Sequence, residues 1–480
     1  MAKVLMVASE AAPFAKTGGL ADAVGGLASA LVSRGEDVAV LLPKYRDVRP
    51  DGAERVFYDL PVWLGTSRYV AGIDRILRDG VQFYFVDCPE FYDRAGIYNE
   101  KNLDYPDNHI RFAVLCRAAL GIVRYLFRPR ILHCHDWQAS LVPAYIRHLL
   151  QGDPTFLGIK LLLTIHNLGY QGIFPRAALA DIGFDETVFH PGAMEFFGQI
   201  NYLKAGIVWS DAINTVSPTY AREIQTPEYG FGLEGLLRTR AACLFGILNG
   251  VDYSEWNPER DPYLVHPYSA SDLEGKRSAK RALLEAFGLA AGGIDRPLIG
   301  MVSRLADQKG FDLIAAIQNE LLMENVGLAV LGAGDPQYES MFQALAARYP
   351  DRVGVRIDYD ESLAHRIEAG SDIFLMPSRY EPCGLNQLYS LRYGTLPVVR
   401  ATGGLNDTID ERTGFKFKEY TGQALLAAIR AALAAYREPG EWRARMRRAM
   451  EKDFSWGAAA SEYSALYQSL LCSDGSGLHL

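Results

Sequence analysis

The sequence predicts an α/β protein built from two doubly wound domains, each a parallel sheet covered by helices. Three observations carry that prediction. Short apolar runs alternate with helical patterns almost from end to end, the alternation stops around residues 248–262, and it then restarts. At 480 residues the chain is also too long for one ordinary hydrophobic core.

The first element is the run Val4, Leu5, Met6 and Val7 in "KVLMVASE", apolar on both faces as a buried parallel strand must be. "KTGGLADAVGGLASAL" (16–31) follows, with Leu20, Val24, Leu27 and Leu31 at helical spacing and Gly35 where the helix would stop. Further strands are expected in "DVAVLL" (37–42), "VQFYFVD" (81–87), "ILHCHDW" (131–137), "KLLLTIH" (160–166) and "DAINTVS" (211–217), with a helix over 109–126. In "LNGVDYSEWNPERDP" (248–262) periodicity gives way to Pro, Asp, Asn and Gly, which marks a domain junction or an extended loop. The rhythm resumes with "PLIGMVSR" (297–304), "VGLAVLGAG" (326–334), "RVGVRID" (352–358), "IFLMPS" (373–378) and "LPVVRATG" (396–403). The domains are therefore drawn as 1–248, joined by a C-terminal helix over 457–480, and 249–456. Two such domains are expected to take a ligand in a central cleft, at the carboxyl ends of their strands.

Composition narrows the class. Hydrophobic residues make up 49% and charged residues 22%, as in a globular protein, and the net charge of −8 argues against nucleic acid or an anionic membrane as partner. An anionic substrate would then need a local cationic site. The six cysteines are scattered without a CxxC pair, which suits reduced thiols in a cytoplasm. A strand beginning at Val4 leaves no room for a signal peptide, and no apolar run approaches membrane-spanning length. A soluble cytoplasmic protein is expected.

Several loops could carry chemistry. Lys16 precedes the Gly18–Gly19 turn at the start of a helix, where exposed N–H groups and the helix dipole favour an anion. The spacing is neither a P-loop nor a dinucleotide fingerprint, and a turn whose glycines merely allow close packing reads equally well. "TGGL" recurs at 402–405, as though both domains presented Gly-rich helix mouths to the cleft. In "SRLADQKGFDLI" (303–314), Arg304 ends a strand and Lys309 enters a helix, a pair suited to a diphosphate or simply a solvated charged loop. In "SRYEPCGLNQLYSLRYG" (378–394), Glu381 could accept hydrogen bonds from sugar hydroxyls, or could only favour the dipole of the helix that Gly384, Leu385 and Asn386 open. Cys383 in the same loop has no base nearby in sequence and reads as packing. "HCHDW" (133–137) fits no structural zinc pattern; Asp136 and Trp137 are expected to face the cleft, as are His166 and Asn167.

Taken together, "KTGGLADAVGGL", "HDW", "TIHNLGYQG", "LNGVDYSEWNP", "SRLADQKGFDL" and "EPCGLNQLYSLRYGTLPVVRATGGLNDT" occur in the order found in bacterial glycogen synthases and plant starch synthases. The chain resembles that family from Val4 to about Trp456. The resemblance implies a GT-B glycosyltransferase of two Rossmann-like domains, retaining, with ADP-glucose as donor and an α-1,4-glucan as acceptor. It also implies site residues. Lys16, Gly18 and Gly19 would face ADP-glucose, with Asp22, Asp136 and His166 on the N-terminal side and Asn249 at the junction. Arg304 and Lys309 would neutralise the diphosphate, Glu381 would hold glucose hydroxyls, and Cys383, Gly384, Leu385 and Asn386 would line the donor site. Tyr359 in "DYDE" would stack on adenine, while Tyr98 in "GIYNE" and Asp136 would meet the acceptor. Where the wider retaining pattern has a second glutamate eight residues on, this chain has Tyr389, leaving Glu381 alone of the pair. No metal or other cofactor is expected. Two alternatives remain: a sugar-nucleotide epimerase, and a catalytically silent glucan-binding protein, against which Lys16, Arg304 and Lys309 count.

Overall fold

The computed structural model describes residues 1–101 and 103–472. The chain divides into two units. One comprises Met1–Val216, Ala221–Gly250 and the C-terminal segment from Trp456; the other comprises Ser217–Tyr220 and Val251–Ser455.

The sheet of the first unit runs Leu244–Gly246, Ala212–Thr215, Lys160–Ile165, Ile131–His135, Lys3–Val7, Asp37–Pro43, Val81–Asp87, Ser67–Arg78 and Glu54–Leu64. Its first seven strands are parallel, and the last two form an antiparallel hairpin on the edge. Lys3–Val7 lies at the centre because it is apolar all round: Val4 pairs with Val38 on one side and Ile131 on the other, and Val4 to Val7 are fully buried. Chain order reverses between Lys3–Val7 and Ile131–His135, so the carboxyl ends of these two strands flank a topological switch point.

The helix Gly19–Ser33 begins after the glycine turn. It packs on the last helix, Trp456–Cys472, where a Cβ on Gly26 would lie 2.1 Å from the Trp456 indole nitrogen. That last helix is stitched to the sheet: the Tyr467 hydroxyl lies 2.9 Å from His133 Nδ1, and Asn214 Nδ2 donates to the Tyr463 hydroxyl at 2.8 Å. Residues 473–480 of the expected 457–480 helix lie outside the described residues.

The second unit is a six-stranded parallel sheet ordered Val353–Arg356, Gly327–Leu331, Leu298–Val302, Ile373–Met376, Leu396–Arg400 and Phe415–Phe417. Numbered along the chain this is the doubly wound order 3-2-1-4-5-6. Its switch point falls between Leu298–Val302 and Ile373–Met376, which pair through Ile299 and Ile373. Strand interiors and helix faces merge into one apolar core that includes Ile299, Val330, Phe342, Phe374 and Val398. Gly310 opens the helix Phe311–Met323 with φ of 75°, and a Cβ there would lie 2.1 Å from the Pro377 carbonyl oxygen. Only glycine satisfies both conditions, and it draws the loop after one switch-point strand against the loop after the other.

Candidate functional site

In the first unit, the loops after the switch-point strands carry the predicted residues. Lys16 forms an ion pair with Asp22, one turn inside the helix, at 2.8 Å. The turn beside it is anchored from below: Glu10 accepts from the backbone and hydroxyl of Thr17, and also from the Tyr98 hydroxyl. Ser9 Oγ lies 2.8 Å from that same hydroxyl. The Tyr98 hydroxyl is thus committed to the loop that carries Lys16, while its ring is only half-buried. Gly18 and Gly19 are exposed. Gly18 has φ of −165°, extended backbone open to any residue, and a Cβ there would meet nothing within 4 Å. Close packing therefore does not explain Gly18, whereas it does explain Gly25, whose Cβ would strike the Ala12 carbonyl at 2.5 Å.

Asp136 follows the strand Ile131–His135 with φ of 56°, a left-handed conformation that few non-glycine residues adopt. Its Oδ1 accepts from the His166 N–H at 2.7 Å, which binds it to the end of the neighbouring strand. Burial raises this carboxyl to about 7, against the hydrogen bonds from the His166 and Asn167 backbone. His135 Nδ1 lies 3.0 Å from His166 Nε2. Burial pushes His166 down to about 3 and His135 well below its ordinary range, so both imidazoles are neutral at physiological pH. His133 is structural: its nitrogens meet the Tyr467 hydroxyl and Thr164 Oγ1, 2.9 and 2.7 Å away. Trp137 is half-buried. Its ring packs on Phe112 and Phe174, and Gly172 owes its lack of a side chain to that ring, 2.4 Å from where a Cβ would sit. Asn167 Oδ1 accepts from the Gly169 N–H and so shapes the turn. Asn249 is buried near the end of this unit.

In the second unit, Arg304 and Lys309 follow the strand Leu298–Val302, and Glu381 follows Ile373–Met376. Lys309 Nζ donates to Glu381 Oε2 at 2.7 Å, and Ser378 Oγ donates to the same oxygen at 2.9 Å. Arg304 is exposed and makes no ion pair among the described residues. The structure thus brings one cation and the carboxylate together at the switch point and leaves a second cation in water beside them. The N–H groups of Gly384 and Leu385 donate no hydrogen bond among the described residues. The Asn386 side chain points back to structure, donating to the Val302 carbonyl at 2.6 Å. Cys383 is buried. Tyr359 stands 81% exposed on the loop before the helix Glu361–Gly370, a flat ring open to stacking.

The echo at 402–405 is different in kind from the first. A Cβ on Gly403 or Gly404 would strike the carbonyl oxygens of Glu381 or Cys383 at 1.9 and 2.0 Å, so these glycines serve packing and present no open mouth. Tyr389 stacks on Trp256 at 3.8 Å, with His365 on Trp256 at 3.7 Å, so the place of a second carboxylate is taken by a structural ring stack.

Two doubly wound sheets, each with charged side chains and open backbone N–H groups gathered at its switch point, define a glycosyltransferase of the GT-B fold. The family model described as the starch synthase catalytic domain matches residues 3–239, and that of group 1 glycosyl transferases matches residues 291–453. The chain is 48% identical over 473 residues to a glycogen synthase of Koribacter versatilis, covering 97% of each chain. It is 50% identical over 479 residues to one of Anaeromyxobacter sp. strain Fw109-5, covering 98% of this chain and 99% of the other. Among solved structures, the catalytic domain of starch synthase IV from Arabidopsis thaliana, bound to ADP and acarbose, superposes with a TM-score of 0.89 at 33% identity, over 98% of this chain and 99% of that one. The chain belongs to the glycogen synthase and starch synthase family.

Proposed function

We propose that this chain transfers the glucosyl group of ADP-glucose to the non-reducing end of an α-1,4-glucan, with retention of anomeric configuration, in the cytoplasm. The observation that carries the reading is the Lys309–Glu381 pair beside exposed Arg304 at the switch point of the second unit. ADP as the donor's leaving group rests on the ADP-bound starch synthase relative.

In this reading the bond between the anomeric carbon and the diphosphate oxygen breaks, and one from that carbon to the acceptor's 4-hydroxyl oxygen forms. The departing phosphate oxygen takes the hydroxyl proton. Negative charge grows on the diphosphate, and Arg304, Lys309 and the Gly384 and Leu385 N–H groups stabilise it without a metal. Glu381, steered by Lys309 and Ser378, accepts from glucose hydroxyls. Tyr359 stacks on adenine. Lys16, with Gly18 and Gly19, approaches phosphate and sugar, and Asp136 hydrogen-bonds sugar hydroxyls. A carboxyl that titrates near neutrality can accept from a hydroxyl or donate to one. Glu381 has no carboxylate partner eight residues on, so a double displacement lacks its nucleophile, and a front-face displacement fits the residues present.

Product analysis tests the reading. ADP and a lengthened glucan should appear together, and only when glucan is supplied. An epimerised nucleotide sugar formed without glucan would overturn it.

A further inference from the structure

The loop 252–257 and the helix Glu361–Gly370 hold a second constellation in the second unit, apart from the residues assigned to glucosyl transfer. Glu361 and His365 stand four residues apart on that helix and so share one of its faces. Glu255 comes from the loop. Carboxylate oxygens of Glu255 and Glu361 and a ring nitrogen of His365 all lie within 4.8 Å of one another.

The histidine makes this more than a pair of surface acids. His365 is 1% exposed. Its Nδ1 lies 2.8 Å from Asp261 Oδ2, and Trp256 stacks on the ring at 3.7 Å with 13° between planes. A carboxylate only accepts, so the proton belongs on Nδ1 and the lone pair on Nε2. Nε2 is buried with no hydrogen-bond partner among the described residues. A buried acceptor left unbonded in this way asks for a ligand. A carboxylate behind the other nitrogen of an imidazole is also the support that metal-binding histidines receive.

We propose that Glu255, Glu361 and His365 bind one divalent cation of the zinc class. One imidazole nitrogen and two carboxylate oxygens suit zinc, and water would complete four-coordination. The glutamates are exposed and can swing inward to bonding distance, whereas His365 is already fixed by Asp261 and Trp256. The cation ties the junction loop to the helix that follows Tyr359. The site goes beyond glucosyl transfer and stands whether or not that reading holds.

The test uses the full chain, stripped with chelator and dialysed, titrated with zinc chloride in a calorimeter. Because cysteines can also take zinc, the readout is the difference between wild type and Glu255→Gln/Glu361→Gln, with Glu361→Gln alone as a second variant. Wild type should bind one more equivalent than the double variant, and Glu361→Gln should weaken that equivalent at least tenfold. Cobalt at the same site should give a ligand-field spectrum lacking sulfur charge transfer. Equal melting temperatures without metal establish that the variants fold, and zinc should raise that of wild type more. Identical stoichiometry and affinity in wild type and double variant, or no zinc uptake by wild type, would overturn the proposal.

Discussion

Lys309 and Glu381, 72 residues apart in the chain, meet at 2.7 Å across the switch point of the second sheet. Both are largely shielded, with side chains 19% and 8% exposed, so neither charge can be removed without stranding the other. Lys309→Ala and Glu381→Gln should each lower kcat by about 10²–10³, the cost of losing one preorganised stabiliser, and the double variant should lose far less than the product. Arg304→Ala, with no ion-pair partner to strand among the described residues, should lower kcat more than it raises KM for donor. Additive losses in the cycle, or an Arg304 variant with normal kcat, would contradict these roles.

Gly18 offers a test in which folding and function separate. Its backbone is extended and a Cβ meets nothing, so Gly18→Ala should melt at the wild-type temperature. If donor approaches this turn, the same methyl group should raise KM for ADP-glucose severalfold. Gly26→Ala should do the reverse and unfold the protein, because its Cβ collides with Trp456. An unchanged KM in Gly18→Ala would return this turn to a purely structural role.

Asp136 gives stability a pH dependence of known sign. Its carboxyl is raised to about 7 in the folded chain, so between pH 4 and 7 the native state holds a proton that the unfolded state has lost. Native stability therefore falls as pH rises through that window. Asp136→Asn keeps an acceptor for the His166 N–H and removes the titration. The variant should be the more stable at pH 8, by roughly 2–4 °C, and that advantage should shrink steadily as pH falls to about 4. An advantage independent of pH would contradict the assignment. His133 and His166, both held near 3 by burial, act oppositely and only on the acid side, where the unfolded chain takes up their protons below about pH 6.5.

If Arg304 and Lys309 supply the positive charge at the diphosphate, as proposed, glucosyl transfer needs no divalent metal there. Activity should survive EDTA at concentrations that strip zinc from the Glu255, Glu361 and His365 cluster. Abolition by chelator with rescue by Mg²⁺ would contradict the roles of Arg304 and Lys309.

Much of this architecture is legible in the chain because parallel strands buried on both faces read as unbroken apolar runs. "VQFYFVD" is a strand over Val81–Asp87 in full, and the helix expected over 109–126 spans Asn108–Tyr125. The edge hairpin over 54–78 went unread, because a half-exposed strand such as "ERVFYDLPVWL" carries no such run. Residue type in the loops and helix entrances that follow strands singled out Lys16, Asp136, His166, Arg304, Lys309 and Glu381 as candidates. It could not show that Lys309 pairs with Glu381, since sheet order sets that contact across distant loops. Nor could it separate Gly18, where a Cβ has room, from Gly403 and Gly404, where backbone from the Glu381 loop fills the space. Nor could it show how Trp137 packs: the strand end fixes where a side chain starts, and the neighbouring Phe112 and Phe174 decide which contacts its ring makes. His365 gave no signal at all, because its meaning lies in Asp261 behind it and in a glutamate one helical turn away.

Arg304, Lys309 and Glu381 are proposed to serve the transfer of glucose from ADP-glucose to a growing α-glucan. The most direct measurement is incorporation of radiolabelled glucose into glycogen from ADP-glucose and from UDP-glucose, by wild type and by Lys309→Ala. Wild type should label glycogen with the higher kcat/KM from ADP-glucose and release ADP in equal amount, and the variant should lose that incorporation by about 10²-fold or more. No incorporation from either donor, or an undiminished rate in the variant, would contradict these roles.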